Sequence, residues 1–132
     1  MLQTDPEQQR VFIVGEGKLL EDAVGHLLSS RRPNFIVSQV IYSNDFAFMD
    51  TIASAQPDVI LICESEALDT VHILDLVSAH PIVARLRIIV IRLRNNVIDI
   101  YAEIKLVAGK ISCNLRKITV RHEDDLLNAF VC

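Results

Sequence analysis

A cysteine and a glutamate stand side by side at the end of the stretch Pro57-Asp58-Val59-Ile60-Leu61-Ile62-Cys63-Glu64. A thiolate is a nucleophile and a carboxylate is a base or an oxygen ligand, so the pair invites a chemical reading. Elsewhere the chain offers Gly15-Glu16-Gly17-Lys18, the histidines His26, His72, His80 and His122, and two further cysteines, Cys113 and Cys132. Four arginines, Arg85, Arg87, Arg92 and Arg94, flank one apolar run. Each group has a chemical reading and a structural one.

The glycine turn fails the dinucleotide fingerprint, whose third glycine falls on Leu20, and Glu16 would repel a pyrophosphate. It also fails the phosphate-cradling loop, whose first glycine falls on Phe12. A plain strand-to-helix turn is the better account. Cys63 as a nucleophile needs a base, for which His72 or His80 would have to approach in space. A buried thiol acting as a small hydrophobe needs nothing more. Cys113 and Cys132 have no metal-ligand spacing with any histidine, and no metal site is expected. The arginines suit phosphate or an acidic partner, and equally suit strand ends that face water.

These residues need elements to hold them. Residues 59–62 are four consecutive β-formers between turn signals, the pattern of a strand buried on both faces at the centre of a parallel sheet. In such sheets sites lie beyond the carboxyl ends of the strands, which is where Cys63 and Glu64 fall. Residues 11–14 and 87–91 read as further buried strands, and 35–42 as a β-rich stretch with a polar step at Ser38-Gln39. Between them run three helical stripes. Leu19, Leu20, Ala23, Val24, Leu27 and Leu28 form the first, with Glu21 and His26 opposite. Phe46, Met49, Ile52 and Ala53 form the second, behind capping oxygens at Ser43-Asn44-Asp45. Leu68, Val71, Leu74, Leu76 and Val77 form the third. Strands alternating with helices imply parallel crossovers and a three-layer α/β fold.

After Asn96 the pattern changes. Ile98, Ile100, Ala102, Ile104 and Leu106 alternate with Asp99, Tyr101, Glu103 and Lys105, which predicts a half-exposed strand. A helix remains the alternative, since Val97, Tyr101, Ile104 and Ala108 also share a helical face. Ala108-Gly109-Lys110 then makes a turn, residues 111–120 hold a returning strand, and Glu123-Asp124-Asp125 open a terminal helix that packs through Leu126, Leu127 and Phe130.

The 132 residues suit one domain, expected over 11–132 behind a frayed polar segment, 1–10, that has neither signal-peptide nor anchor character. Apolar residues make up 51% and the mean hydropathy is +0.34, yet no run approaches the roughly 18 residues that span a bilayer. The excess implies a doubly covered sheet, a subunit interface, or both. Three irregularly spaced cysteines point to a reducing, cytoplasmic setting and no disulfide framework. A net charge of −4 argues against a dedicated nucleic-acid binder. Residues 1–66 carry four basic and ten acidic side chains, whereas 67–132 carry nine and seven, an asymmetry that suits head-to-tail or partner association and equally a well-solvated surface.

The order of elements resembles the receiver domain of two-component response regulators over roughly residues 10–94 and 121–131. The closest local matches are residues 11–14, 35–40, the Pro57-Asp58 run, 88–91 and Asp124-Asp125-Leu126-Leu127. The resemblance implies a receiver-like (flavodoxin-like) fold with a mostly parallel five-stranded sheet, in which the alternating segment after Asn96 would put a β-hairpin in place of the family's fourth helix. It also implies where a phosphorylation site would lie, and there the chain departs from the family. The phosphoacceptor aspartate is Cys63, the magnesium-binding acidic pair is Gly15-Glu16, the Ser/Thr of the fourth strand is Arg92 and the lysine of the fifth is Lys117. Glu64-Ser65-Glu66 replaces the turn after the acceptor. A hard cation needs clustered oxygen ligands, and a thiol is a poor substitute for a carboxylate. Glu64 could mimic a fixed negative charge only by turning its side chain into the pocket, and Cys63 and Glu64 cannot both sit as the aspartate would, because adjacent strand residues face opposite ways.

The reading is therefore a pseudo-receiver. It is a non-catalytic signalling module that needs no phosphorylation and no cofactor, binds a protein partner and forms a homodimer through Ile98, Ile100, Tyr101, Ile104 and Leu106. The rivals are a small-ligand or nucleotide sensor using the strand-end pocket, and an enzyme built on Cys63.

Overall fold

In the computed structural model the apolar runs become strands of one sheet; the residues described are 8–16, 19–65, 68–79, 85–94, 97–107, 110–114 and 118–130. In chain order the elements are β1 (Gln9–Gly15), α1 (Leu19–Arg31), β2 (Phe35–Ile41), α2 (Asp45–Ala55), β3 (Val59–Glu64), α3 (Thr70–Ala79), β4 (Arg85–Arg94), β5 (Val97–Val107), β6 (Lys110–Asn114), β7 (Ile118–Val120) and α4 (Glu123–Asn128). The strands lie in the order β2-β1-β3-β4-β5-β6, with β7 also on β5.

Strands β2, β1, β3 and β4 pair in parallel, whereas β5 pairs antiparallel with β4, β6 and β7. The sheet is therefore α/β and mixed. It has seven strands among the described residues, where the sequence reading expected five. The hairpin replaces a fourth helix for a simple reason. Only two residues separate Arg94 from Val97, and a parallel crossover needs a dozen or more.

Two apolar cores flank the sheet. Phe48 and Ile52 of α2 and Ile73 and Val77 of α3 cover Phe12, Val14, Ile60, Ile62, Ile88 and Val90. Val24 and Leu28 of α1 and Leu126, Leu127 and Phe130 cover Val11, Ile13, Leu61, Cys63, Ile89 and Ile91 on the other face. β3 is central as expected, every residue from Val59 to Cys63 being buried. Asp58 ties its start to both neighbours. Its carboxylate and backbone N–H engage the Arg10 backbone at 2.9 Å each, and its carbonyl accepts from the Arg87 N–H.

Two helix faces depart from the expected stripes. Asn44 is the N-cap of α2, accepting from the Ala47 N–H at 2.8 Å; the helix packs through Phe48 and Ile52 and leaves Phe46 83% exposed. In α3, Ile73 is buried and Val71 is exposed. α4 forms where the carboxylates predicted it. Asp125 accepts from the Arg121 and His122 N–H groups, which holds its carboxyl below the ordinary range.

The strand β5 brings the largest correction. Val90 pairs with Ala102 but Ile91 with Ile100, so Tyr101 is an extra residue, a β-bulge. The bulge switches the faces. Ile98 and Ile100 turn toward α1 and α4, and Ala102, Ile104 and Leu106 toward α2 and α3. The expected interface residues Ile100, Ile104 and Leu106 are thus buried inside the chain's own cores, with Ile98 packed against one of them. They form no association surface. Of Tyr101 only the backbone is described.

Candidate functional site

The carboxyl ends of β1, β3 and β4 meet where the parallel topology requires, but the sheet divides the residues there into two groups. Cys63 faces the α1–α4 core and Glu64 the opposite side. Burial, and after it the nearby Glu21 carboxylate, pushes the Cys63 thiol up to about 12. Burial of this kind disfavours the thiolate, the form a nucleophilic cysteine needs.

Glu21 was expected on the polar side of α1; it is buried instead, packed against Gly15. A Cβ at Gly15 would collide with the Glu21 carboxylate, so the absent side chain is what makes room for it. The apolar stripe of α1 does not mark this. Burial of Glu21 depends on Gly15, six residues earlier at the end of β1.

On the other side of the sheet, register aligns Glu64, Arg92 and Asp99 across β3, β4 and β5. The Arg92 guanidinium donates twice to Glu64 Oε1, the Nε contact being 2.8 Å, and the Thr70 hydroxyl donates to Glu64 Oε2 at 2.6 Å. Asp99, expected on the solvent side, is buried and accepts from the Thr119 hydroxyl at 3.1 Å. Its burial follows from the same bulge. The Ser65 hydroxyl donates to Glu16, closing the β1–β3 end. The result is a polar row in which each carboxylate already holds a donor. A carboxylate held by an arginine and a hydroxyl has both its oxygens already engaged.

Beside the row is an open cleft of about 500 Å³ lined by Glu64, Ser65, Leu68, Asp69, Arg92 and Leu93. It mixes charge with two leucines, and Asp69 is partly engaged, accepting from the Val71 N–H at 3.0 Å. The expected pocket of Gly15, Glu16, Cys63, Glu64, Arg92 and Lys117 is therefore split. Glu64 and Arg92 meet, Glu16 joins them through Ser65, Gly15 and Cys63 lie on the α1 side, and Lys117 falls outside the described residues, as do Gly17, Lys18 and His80. Ser65, Thr70, Asp99 and Glu21 are the participants that sequence reasoning missed. Among the described residues no three His, Cys, Asp or Glu side chains gather as a metal site, and no helix is long and apolar enough to cross a membrane.

His72 on α3 meets Asp45 on α2, its Nε2 lying 2.9 Å from Oδ1, and the Tyr42 hydroxyl donates to the same carboxylate. Comparison of the chain with protein-family models, with curated proteins and with solved structures finds no match.

Proposed function

We propose that this protein is a receiver-like regulatory module that acts in the cytoplasm through protein–protein contact and transfers no phosphoryl group. One observation carries the reading. At the end of the central strand, Cys63 points into an apolar core with its thiol held protonated, while Glu64 is taken up by Arg92 and Thr70. The parallel order β2-β1-β3-β4, with helices on both faces, supports the receiver-like frame, and the hairpin at β5 is its departure. With the acceptor and one of the cation-binding carboxylates replaced, neither metal nor cofactor has a role in this mechanism. What remains to act is the surface.

The open cleft favours a second reading, a small-ligand sensor at Glu64, Leu68 and Arg92. Ligand contact there would have to compete with the Glu64–Arg92 pair.

The test of the leading reading is incubation with magnesium and a small acyl phosphate, followed by intact-mass and peptide mass spectrometry. The expected result is an unmodified chain. A stable phospho-adduct mapped to the strand ends, at Cys63, Glu64 or Glu16, overturns the reading.

A further inference from the structure

Two exposed patches of this chain match each other in shape of charge. The first lies across the opening turns of α2 and α3. Phe46, 83% exposed, and Val71, 65% exposed, each adjoin one member of the Asp45–His72 contact that joins the helices. Asp50 lies one turn from Phe46, and Asp75 one turn from Val71. Asp45, Asp69 and Asp75 all act on the His72 ring. Neither helix contains a lysine or an arginine. The patch is apolar at its centre and acidic around it.

The second patch is at the tip of the β5–β6 hairpin. Register places Arg85, Val107 and Lys110 in one row across β4, β5 and β6, and Lys105 lies two residues before Val107 on the same face. All four are exposed, Val107 to 48%. An apolar centre is here ringed by cations. Single exposed apolar residues are ordinary, but these two sets are opposite in charge and alike in plan.

We infer that the α2–α3 face of one copy receives the β5–β6 hairpin tip of a second copy, with Phe46 and Val71 meeting Val107 and the aspartates meeting Arg85, Lys105 and Lys110. The two patches cannot form a self-matching pair on one surface. Phe46 and Val71 lie beyond the carboxyl ends of β2 and β3, whereas Arg85 begins β4. They also lie on opposite faces, since Leu106 turns toward the α2–α3 core and Val107 away from it. Contact between opposite ends and faces is heterologous, and it extends head to tail instead of closing as a two-fold dimer. The inference deepens the interaction reading and rests on it for its use, but its test is separate. A phospho-adduct would overturn that reading and leave this contact standing.

The experiment is sedimentation velocity of the whole chain from roughly 10 µM to roughly 1 mM, at low salt and at about 1 M salt, where the screening length falls to about 3 Å. At low salt the weight-average mass is expected to climb past twice 14.8 kDa, and at high salt to return toward 14.8 kDa. Two variants then separate the halves. Phe46→Ser with Val71→Ser blocks the acidic face, and Val107→Glu blocks the hairpin; each alone weakens association about tenfold or more. Mixed together they form a one-to-one pair and stop there, because each supplies the half that the other lacks. Lys110→Glu, a change of surface charge alone, reproduces Val107→Glu should that variant melt early. A wild-type monomer throughout, a closed two-fold dimer, or a mixture that fails to pair overturns the inference.

Discussion

The parallel and antiparallel halves of this sheet are both built from isoleucine and valine, yet they encode their faces differently. In the parallel half, β3 is apolar at every position from Val59 to Cys63, with a strand on each side and a core on each face. Any residue in that run fits either core, so its sequence says little about direction and much about depth. In the antiparallel half, β5 alternates apolar and polar residues, and there direction is everything. One extra residue at Tyr101 sends Ile98 and Ile100 to one core and Ala102, Ile104 and Leu106 to the other. A continuous strand is insensitive to register, whereas an alternating one is governed by it.

The largest effect that would break this comparison is a charge in the continuous run. Ile62→Asp places a carboxylate between Val14 and Val90, with no exposed surface to reach. Burying it without a partner costs several kcal/mol against a total stability of about 5–15 kcal/mol. The variant is expected to lose its cooperative unfolding transition by circular dichroism. Ile111→Asp on β6, where the side chain is 48% exposed, is expected to shift stability by about 1 kcal/mol or less. Ile62→Asp melting like the wild type would remove β3 from the centre of the fold.

A smaller effect sharpens the other side of the comparison. Deleting Tyr101 removes the extra residue and restores one-to-one pairing with β4. Ile100 and Ala102 then adjoin in the chain and point to opposite faces, as the bulge already sets them, so Ile98 and Ile100 stay with the α1–α4 core and Asp99 stays beside Thr119. The variant is expected to unfold in urea within about 1 kcal/mol of wild type. A loss of several kcal/mol would show that the local bend of the bulge, and not only the facing it sets, is needed.

This contrast also explains what the sequence could and could not reveal. Depth was legible, and with it the central strand, three crossover helices and the hairpin after β4. Phase was less so. α2 reads Asp-Phe-Ala-Phe-Met, and it is the stripe of Phe48, Ile52 and Ala55, not one through Phe46, that packs on the sheet. The bulge at Tyr101 has no local signature, so the apolar face of β5 read as one surface to bury against a partner, and Asp99 read as exposed. In the site, Glu64 and Arg92 were legible from their places at neighbouring strand ends. Glu21 was not, because its burial answers to the missing side chain of Gly15. Fit of this kind, across the connection between β1 and α1, leaves no periodic trace.

The smallest expected effect concerns the surface of the parallel half, where His72 joins α3 to α2. Its hydrogen bond to Asp45 is the main cause that raises the His72 pKa above its ordinary 6.5, and the charges of Asp45, Asp69 and Asp75 add to it. A folded-state pKa above the unfolded one means that the imidazolium stabilises the fold. That contribution is complete below the unfolded value, and it fades as pH rises through the folded one. The pair is half exposed, with side-chain exposures of 52% and 49%, so screening keeps the effect slight. The measurement is a proton NMR titration of the His72 ring in wild type and in Asp45→Asn. The wild-type midpoint is expected above the ordinary value and the variant's below the wild type's, both differences shrinking in high salt. Thermal melts should follow in the same direction, with wild type gaining on Asp45→Asn as pH falls through the His72 midpoint. A midpoint unmoved by Asp45→Asn would mean that α2 and α3 are joined by their apolar contacts alone. The antiparallel half, with its part-buried Arg87–Glu103 pair, would then hold the stronger ionic link between its elements.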